Sequence, residues 1–116
     1  MSVSFSGPAA DVVSAINTGD TEGVLTPLAE DVIVNDRHRL MRGRDAVRDW
    51  YEREIADGVV TIDVADVREH YGDWIVSGPV TGVPDEDRLA LYFSIRNDMV
   101  VRLVVLPMAG HPLDPA

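Results

Sequence analysis

No cysteine and no lysine occur in this sequence; all ten basic residues are arginine. The first absence removes disulfides, thiolate catalysis and any cysteine-based zinc or iron–sulfur centre. The second removes lysine Schiff-base chemistry and a Walker-type phosphate loop. Long apolar runs are missing as well, and nothing approaches the ~18 apolar residues that a membrane helix needs. The opening "MSVSFSGPAAD" lacks the basic and apolar regions of a secretory signal, so a cytoplasmic location is expected. Positive charge is scarce, since twenty acidic residues against ten arginines leave a net charge of −10. That field opposes phosphate contacts, so neither nucleic acid nor an anionic membrane is expected as a partner. Three histidines, with no HExxH or paired spacing, give no metal site.

What is present describes one soluble domain spanning residues 1–116, with 46% apolar and 26% charged residues. Ala9, Val12, Val13 and Ile16 recur at helical spacing, and "NTGD" closes that helix with Gly19 while offering Asp20 as the cap of the next. The second helix carries Val24, Leu25 and Leu28, but Pro27 inside the pattern demands a break. Residues 32–36 read as a strand and "RHRLM" as a short second one. Gly43 and Asp45 open a third helix whose apolar face is Val47, Trp50, Tyr51 and Ile55.

From residue 59 onward the pattern is strand-like. Val60, Ile62 and Val64 alternate with Thr61, Asp63 and Ala65 as a half-buried strand, and another strand is expected over 74–81 after a turn at "YGD". "GVPDED" reads as an acidic turn. Leu89, Leu91, Phe93 and Ile95 alternate along another strand. "RND" is a hairpin turn leading into an apolar strand over 100–106, and the core ends there, with 107–116 an irregular tail. Helices followed by an antiparallel meander define an α+β fold, and a curved sheet closing over the helices encloses a cavity.

The stretch "VIVNDRHRLMRGRD" carries the first candidate site. Asp36 ends an apolar strand beside Arg37, Arg39 and Arg42. It is either ion-paired to one of them or an ionisable group at the mouth of a pocket. His38 shares alternation parity with Asp36 and either points the same way or faces solvent in the turn. His70 stands near a strand end before "YGD" and is the other candidate histidine. Trp50 and Tyr51 read as core on the third helix, with Trp50 able to line the cavity. Trp74 and Tyr92 are amphipathic aromatics of the kind that line pockets, or else core or interface residues. Arg102 interrupts an apolar strand as a rim or interface arginine, or as an anion anchor inside the cavity.

"AINTGDTEGVLTPLAEDVIVND" and "MRGRDAVRDWY" resemble the nuclear transport factor 2-like superfamily, which includes ketosteroid isomerases and SnoaL-like polyketide cyclases. The resemblance covers roughly residues 9–106. It implies a cone-shaped, cystatin-like α+β barrel, with three N-terminal helices packed in a strongly curved mixed or antiparallel sheet. It further implies a homodimer formed through the sheet, a pocket for a small hydrophobic molecule, and no cofactor. Asp36 falls where the isomerases carry their proton-shuttling aspartate, which implies isomerase- or cyclase-type acid–base chemistry assisted by His38 or Tyr92. A carboxylate facing an apolar cone is pushed up from ~3.9 by desolvation, towards a usable base. An arginine partner pulls the other way. The isomerases' tyrosine position on the first helix reads Val12 here, and their late-strand aspartic acid falls near Arg88 and Leu89. The alternative is a non-catalytic ligand-binding or dimerisation module with a filled cavity.

Overall fold

The computed structural model describes residues 7–36, 39–53, 60–82 and 87–108. Helix α1 (Pro8–Thr18) starts on a proline and ends where Gly19 adopts the left-handed conformation, φ 72°. Its buried stripe is Ala9, Val12, Val13, Ala15 and Ile16, as the spacing requires. The Asp20 carboxylate accepts from the Gly23 amide at 3.0 Å and caps helix α2 (Thr21–Leu25). This helix stops short of Pro27. Leu28, expected on the helix, instead begins strand β1 (Leu28–Asp36). The Pro27 carbonyl accepts from the Val100 amide at 2.9 Å, which draws the chain into the sheet earlier than its apolar run suggests.

Strand β2 (Arg39–Arg42) returns along β1, and Gly43 then opens helix α3 (Arg44–Tyr51). Arg44 donates twice to the Leu28 carbonyl and ties the start of this helix to β1. Ile55, expected on the face of α3, and the histidines at 38 and 111 lie outside the described residues.

The second half builds β3 (Thr61–Ile62), β4 (Asp66–His70), β5 (Asp73–Thr81), β6 (Arg88–Arg96) and β7 (Met99–Met108). Both tight turns use left-handed residues, Tyr71–Gly72 and Asn97–Asp98. The positive φ at both central positions matches the strand twist of a two-residue hairpin. The single strand expected over 60–65 is instead broken after Ile62. Asp63 and Ala65 still donate to the Pro79 and Ser77 carbonyls at 2.9 Å, straddling Gly78. A β-carbon at Gly78 would lie 1.9 Å from the Asp63 carbonyl oxygen, so only glycine lets the two chains approach this closely.

The strand order is β2-β1-β7-β6-β5-β3, with β4 also pairing β5. The meander expected from the sequence is present from β4 to β7, and β1 joins it in parallel with β7, making the sheet mixed. The sheet is open at β2 and does not close into a barrel. The helices pack on one face of the sheet. Val12, Tyr51, Phe93, Val76 and Val100 are fully buried between the two layers. Among the described residues no helix is long and apolar enough to cross a membrane.

Candidate functional site

Strand β1 alternates strictly at its end. Val32, Val34 and Asp36 are buried, and the intervening Ile33 and Asn35 are half-buried on the other face. Asp36 therefore continues the inward row. At 2% exposure it is the one buried charged side chain among the described residues. Its neighbours across the sheet are Arg39 on β2 and Val105 on β7, and Val105 in turn pairs with Leu91.

Two donors meet on the same carboxylate oxygen. Trp50 Nε1, from the buried face of α3, donates to Asp36 Oδ2 at 2.8 Å. Arg39 Nη2 donates to that atom at 3.0 Å, while half of its side chain remains exposed. A buried carboxylate without partners costs several kcal/mol, and these charge-assisted and indole hydrogen bonds offset that cost. The arrangement is an anchored carboxylate with an indole beneath it and a half-exposed cation at the solvent side. Of the three arginines that the sequence offers as partners, Arg39 is seen to pair through its position directly across the hairpin.

The remaining candidates divide between two faces. Trp74 pairs with the inward Phe93 and packs half-buried against the core. His70 is exposed on β4, its ring edge-on to Tyr71 with centroids 4.4 Å apart. Tyr92 and Arg102 lie on the outer face. Tyr92 pairs with Val104, whereas its inward neighbour Leu91 pairs with Val105 beside Asp36. Strand alternation thus puts the whole sheet between Tyr92 and Asp36, so Tyr92 cannot assist proton transfer there. His38, the other expected assistant, is outside the described residues.

On the outer face Tyr92 Oη donates to Asp73 Oδ2 at 2.8 Å, and Arg96 Nη1 reaches Asp73 Oδ1 at 3.5 Å. The Tyr92 hydrogen bond, with help from Arg96, holds the Asp73 carboxyl below the usual carboxylate range. The same bond, together with the negative charge, pushes the Tyr92 phenol up. These residues border a groove of about 580 Å³ with Ile33, Val101, Arg102, Val104 and Leu106. Other cavities bounded by described residues lie along α1 and α2 and at the entry to α3, and Asp36 lines none of these. Among the described residues no cluster of His, Asp and Glu could hold a metal ion.

The donor role of Trp50, itself named as a core or cavity-lining residue, and the participation of Asp73 escape sequence reading. Trp50 carries the spacing of a core residue, and only its donor nitrogen hints that it needs a buried acceptor. Asp73 begins a strand after a turn, where aspartate is ordinary. Tyr51 adds a third feature of the interior. It is fully buried, and its hydroxyl has no hydrogen-bond partner among the described residues. Burial, and secondarily Asp20, pushes its phenol up.

No protein-family model and no curated protein matches the sequence. Solved structures do match. A Sinorhizobium meliloti protein described as a candidate polyketide cyclase superposes with a TM-score of 0.78 at 19% identity, over 84% of this chain and 92% of that one. A candidate ketosteroid isomerase from Kribbella flavida gives 0.76 at 19% identity, over 94% of this chain and 81% of the other. A nuclear transport factor 2-like protein of unknown function from Cytophaga hutchinsonii gives 0.74 at 12% identity, over 93% and 95%. The chain has the nuclear transport factor 2-like fold, which is also the cystatin fold of a further similar structure. It is the architecture on which those candidate isomerases and cyclases are built.

Proposed function

We propose that this protein takes up a small apolar, carbonyl-bearing molecule at the Asp36 end of the cone and moves a proton within it, in the manner of an isomerase or cyclase. The observation that carries this reading is the buried Asp36 carboxylate, held by the indole of Trp50 and covered by a half-exposed arginine. This carboxylate continues the inward row of Val32 and Val34, lies across from Val105 and is excluded from solvent. In the proposed step Arg39 swings off Oδ2, and Asp36 takes a proton from the carbon next to the carbonyl and returns it to another carbon. Trp50 keeps the carboxylate oriented throughout. The freed Arg39 guanidinium supplies positive charge for the enolate, a task for which Val12 and Leu89 offer no donor. The step consumes no cofactor.

The test is proton exchange in D2O with a β,γ-unsaturated ketone and an apolar 1,3-diketone as probes. General acid–base catalysis contributes ~10²–10⁴-fold, so Asp36→Asn is expected to lower protein-dependent exchange by at least ~100-fold. Undiminished exchange in that variant removes Asp36 from the mechanism. A second reading is a non-catalytic module with a filled interior, and the observation in its favour is the burial of Trp50, Tyr51 and Phe93 within the cone. It predicts that neither probe shifts the Trp50 indole resonance.

A further inference from the structure

The outer face of the sheet carries a second arrangement that the proton-transfer reading does not use. One row across the strands runs Arg42, Ile33, Arg102, Ser94 and Asp73, from β2 to β5. The next runs Leu40, Asn35, Val104, Tyr92 and Ile75, and Leu106 and Ala90 begin the third. Three of the four large hydrophobic side chains exposed among the described residues, Leu40, Ile75 and Leu106, are in these two apolar rows. The register shift between Ser94 and Ile95 leaves Val101 unpaired, and both Val101 and Arg102 then border the groove. Bulges of this kind re-aim side chains at sites.

The charge of this face opposes that of the molecule. Arg96 is neutralised by Asp73, and Arg68 by Asp66. Arg42, Arg88 and Arg102 have no carboxylate partner within ion-pair distance among the described residues. Arg42 lies in a separate cleft with Glu30 and Asp31, and of the two arginines that line the groove Arg96 is paired to Asp73, which leaves Arg102 as its uncompensated cation among the described residues. In a chain of net charge −10, unpaired arginines over an apolar strip are a local reversal of sign. An anion with an apolar body satisfies both features.

The geometry points to a binding site for a free aliphatic monocarboxylate in this groove. The carboxylate sits on the Arg102 guanidinium, beside Ile33. The hydrocarbon lies over Val104 towards Leu106. Arginine's planar fork matches a carboxylate bidentately. From Arg102 to Leu106 the strand advances roughly 13 Å at ~3.3 Å per residue, the reach of a medium-chain acid. The groove's volume of about 580 Å³ is within the range of small-molecule sites. This site is separate from Asp36, on the opposite face of the sheet.

Titration of the full ¹⁵N-labelled chain with sodium decanoate, kept below its micelle concentration, tests the assignment. Saturable shifts are expected at the amides of Ile33, Val104 and Leu106, with the Trp50 indole resonance unmoved. Arg102→Gln should weaken binding at least tenfold, and Arg102→Lys, which keeps the charge and much of the stem, should weaken it less. Decanol and acetate, each lacking one half of the ligand, should bind at least tenfold more weakly than decanoate. Equal affinity in Arg102→Gln overturns the site, as does a Trp50 shift that follows the titration, which would locate the ligand in the cone. A sedimenting dimer that excludes decanoate also overturns it, assigning the face to a second copy.

Discussion

Trp50 and Asp36, fourteen residues apart, meet inside the molecule through a 2.8 Å hydrogen bond from the indole nitrogen to Oδ2. This bond joins the end of the first strand to the buried side of α3, and both partners are almost wholly excluded from solvent. Replacing either one alone strands a buried polar group, which costs ~1–3 kcal/mol and more for a charged one. Trp50→Phe and Asp36→Ala should therefore each lower urea stability by about 2–4 kcal/mol, with the loss of ring volume contributing in the first. The double variant should recover ~0.5–3 kcal/mol relative to the sum. Additive losses would show that the hydrogen bond contributes nothing to stability.

Tyr51 calls for the opposite outcome. Its hydroxyl is buried with no partner among the described residues, so removing it should relieve a desolvation cost. Tyr51→Phe is expected to be at least as stable as the parent, by up to about 1 kcal/mol in urea titration. A loss of more than that would reveal a hydrogen bond to the hydroxyl.

Much of this architecture was readable beforehand, and the reason lies in periodicity. The i, i+3, i+4, i+7 spacing of α1 and the turn chemistry of Gly19, Asp20, Gly72 and Asn97 are local signals, and each has the expected structural outcome. Alternation along Val32, Val34 and Asp36 likewise gives the inward direction of the carboxylate. Pairing is different, because it joins segments with no shared local pattern. The parallel contact of β1 with β7, the early entry of Leu28 into the sheet and the break at Asp63 all depend on a partner strand far along the chain. The same limit placed Tyr92 beside Asp36 in expectation, although strand pairing sets the two on opposite faces. The donor role of Trp50 was hidden because core tryptophans and anchoring tryptophans have the same spacing.

Gly78 tests the chain crossing. Alanine there drives its methyl into the Asp63 carbonyl, backbone against backbone, with no flexible side chain to yield. Gly78→Ala should cost at least the ~1–3 kcal/mol of core overpacking, read as a lower urea midpoint. Amide protection should fall first at Asp63 and Ala65, whose bonds straddle the site.

The outer-face pair sets two pH limits. Asp73 has a lowered carboxyl pKa, chiefly through the Tyr92 hydroxyl, so its contribution to stability is present above the unfolded value and disappears as pH falls through the folded one. Tyr92 has a raised phenol pKa, so its contribution is complete below the unfolded value and disappears as pH rises through the folded one. Carboxyl titration by NMR should find Asp73 shifted back towards the ordinary range in Tyr92→Phe. An unchanged Asp73 in that variant would assign its shift to Arg96 instead.

The parallel junction of β1 with β7 also has a meaning in time. During synthesis the three helices and the β1–β2 hairpin emerge first, yet one long edge of β1 remains unpaired until the final strand arrives. Until then Val34 and Asp36 have no neighbour on that side, and the apolar faces of α1 and α3 have only part of their cover. Non-local pairing of this kind makes folding late and cooperative rather than progressive. Ribosome-bound chains halted before Val100 should therefore be far more protease-sensitive than chains in which β7 has fully emerged.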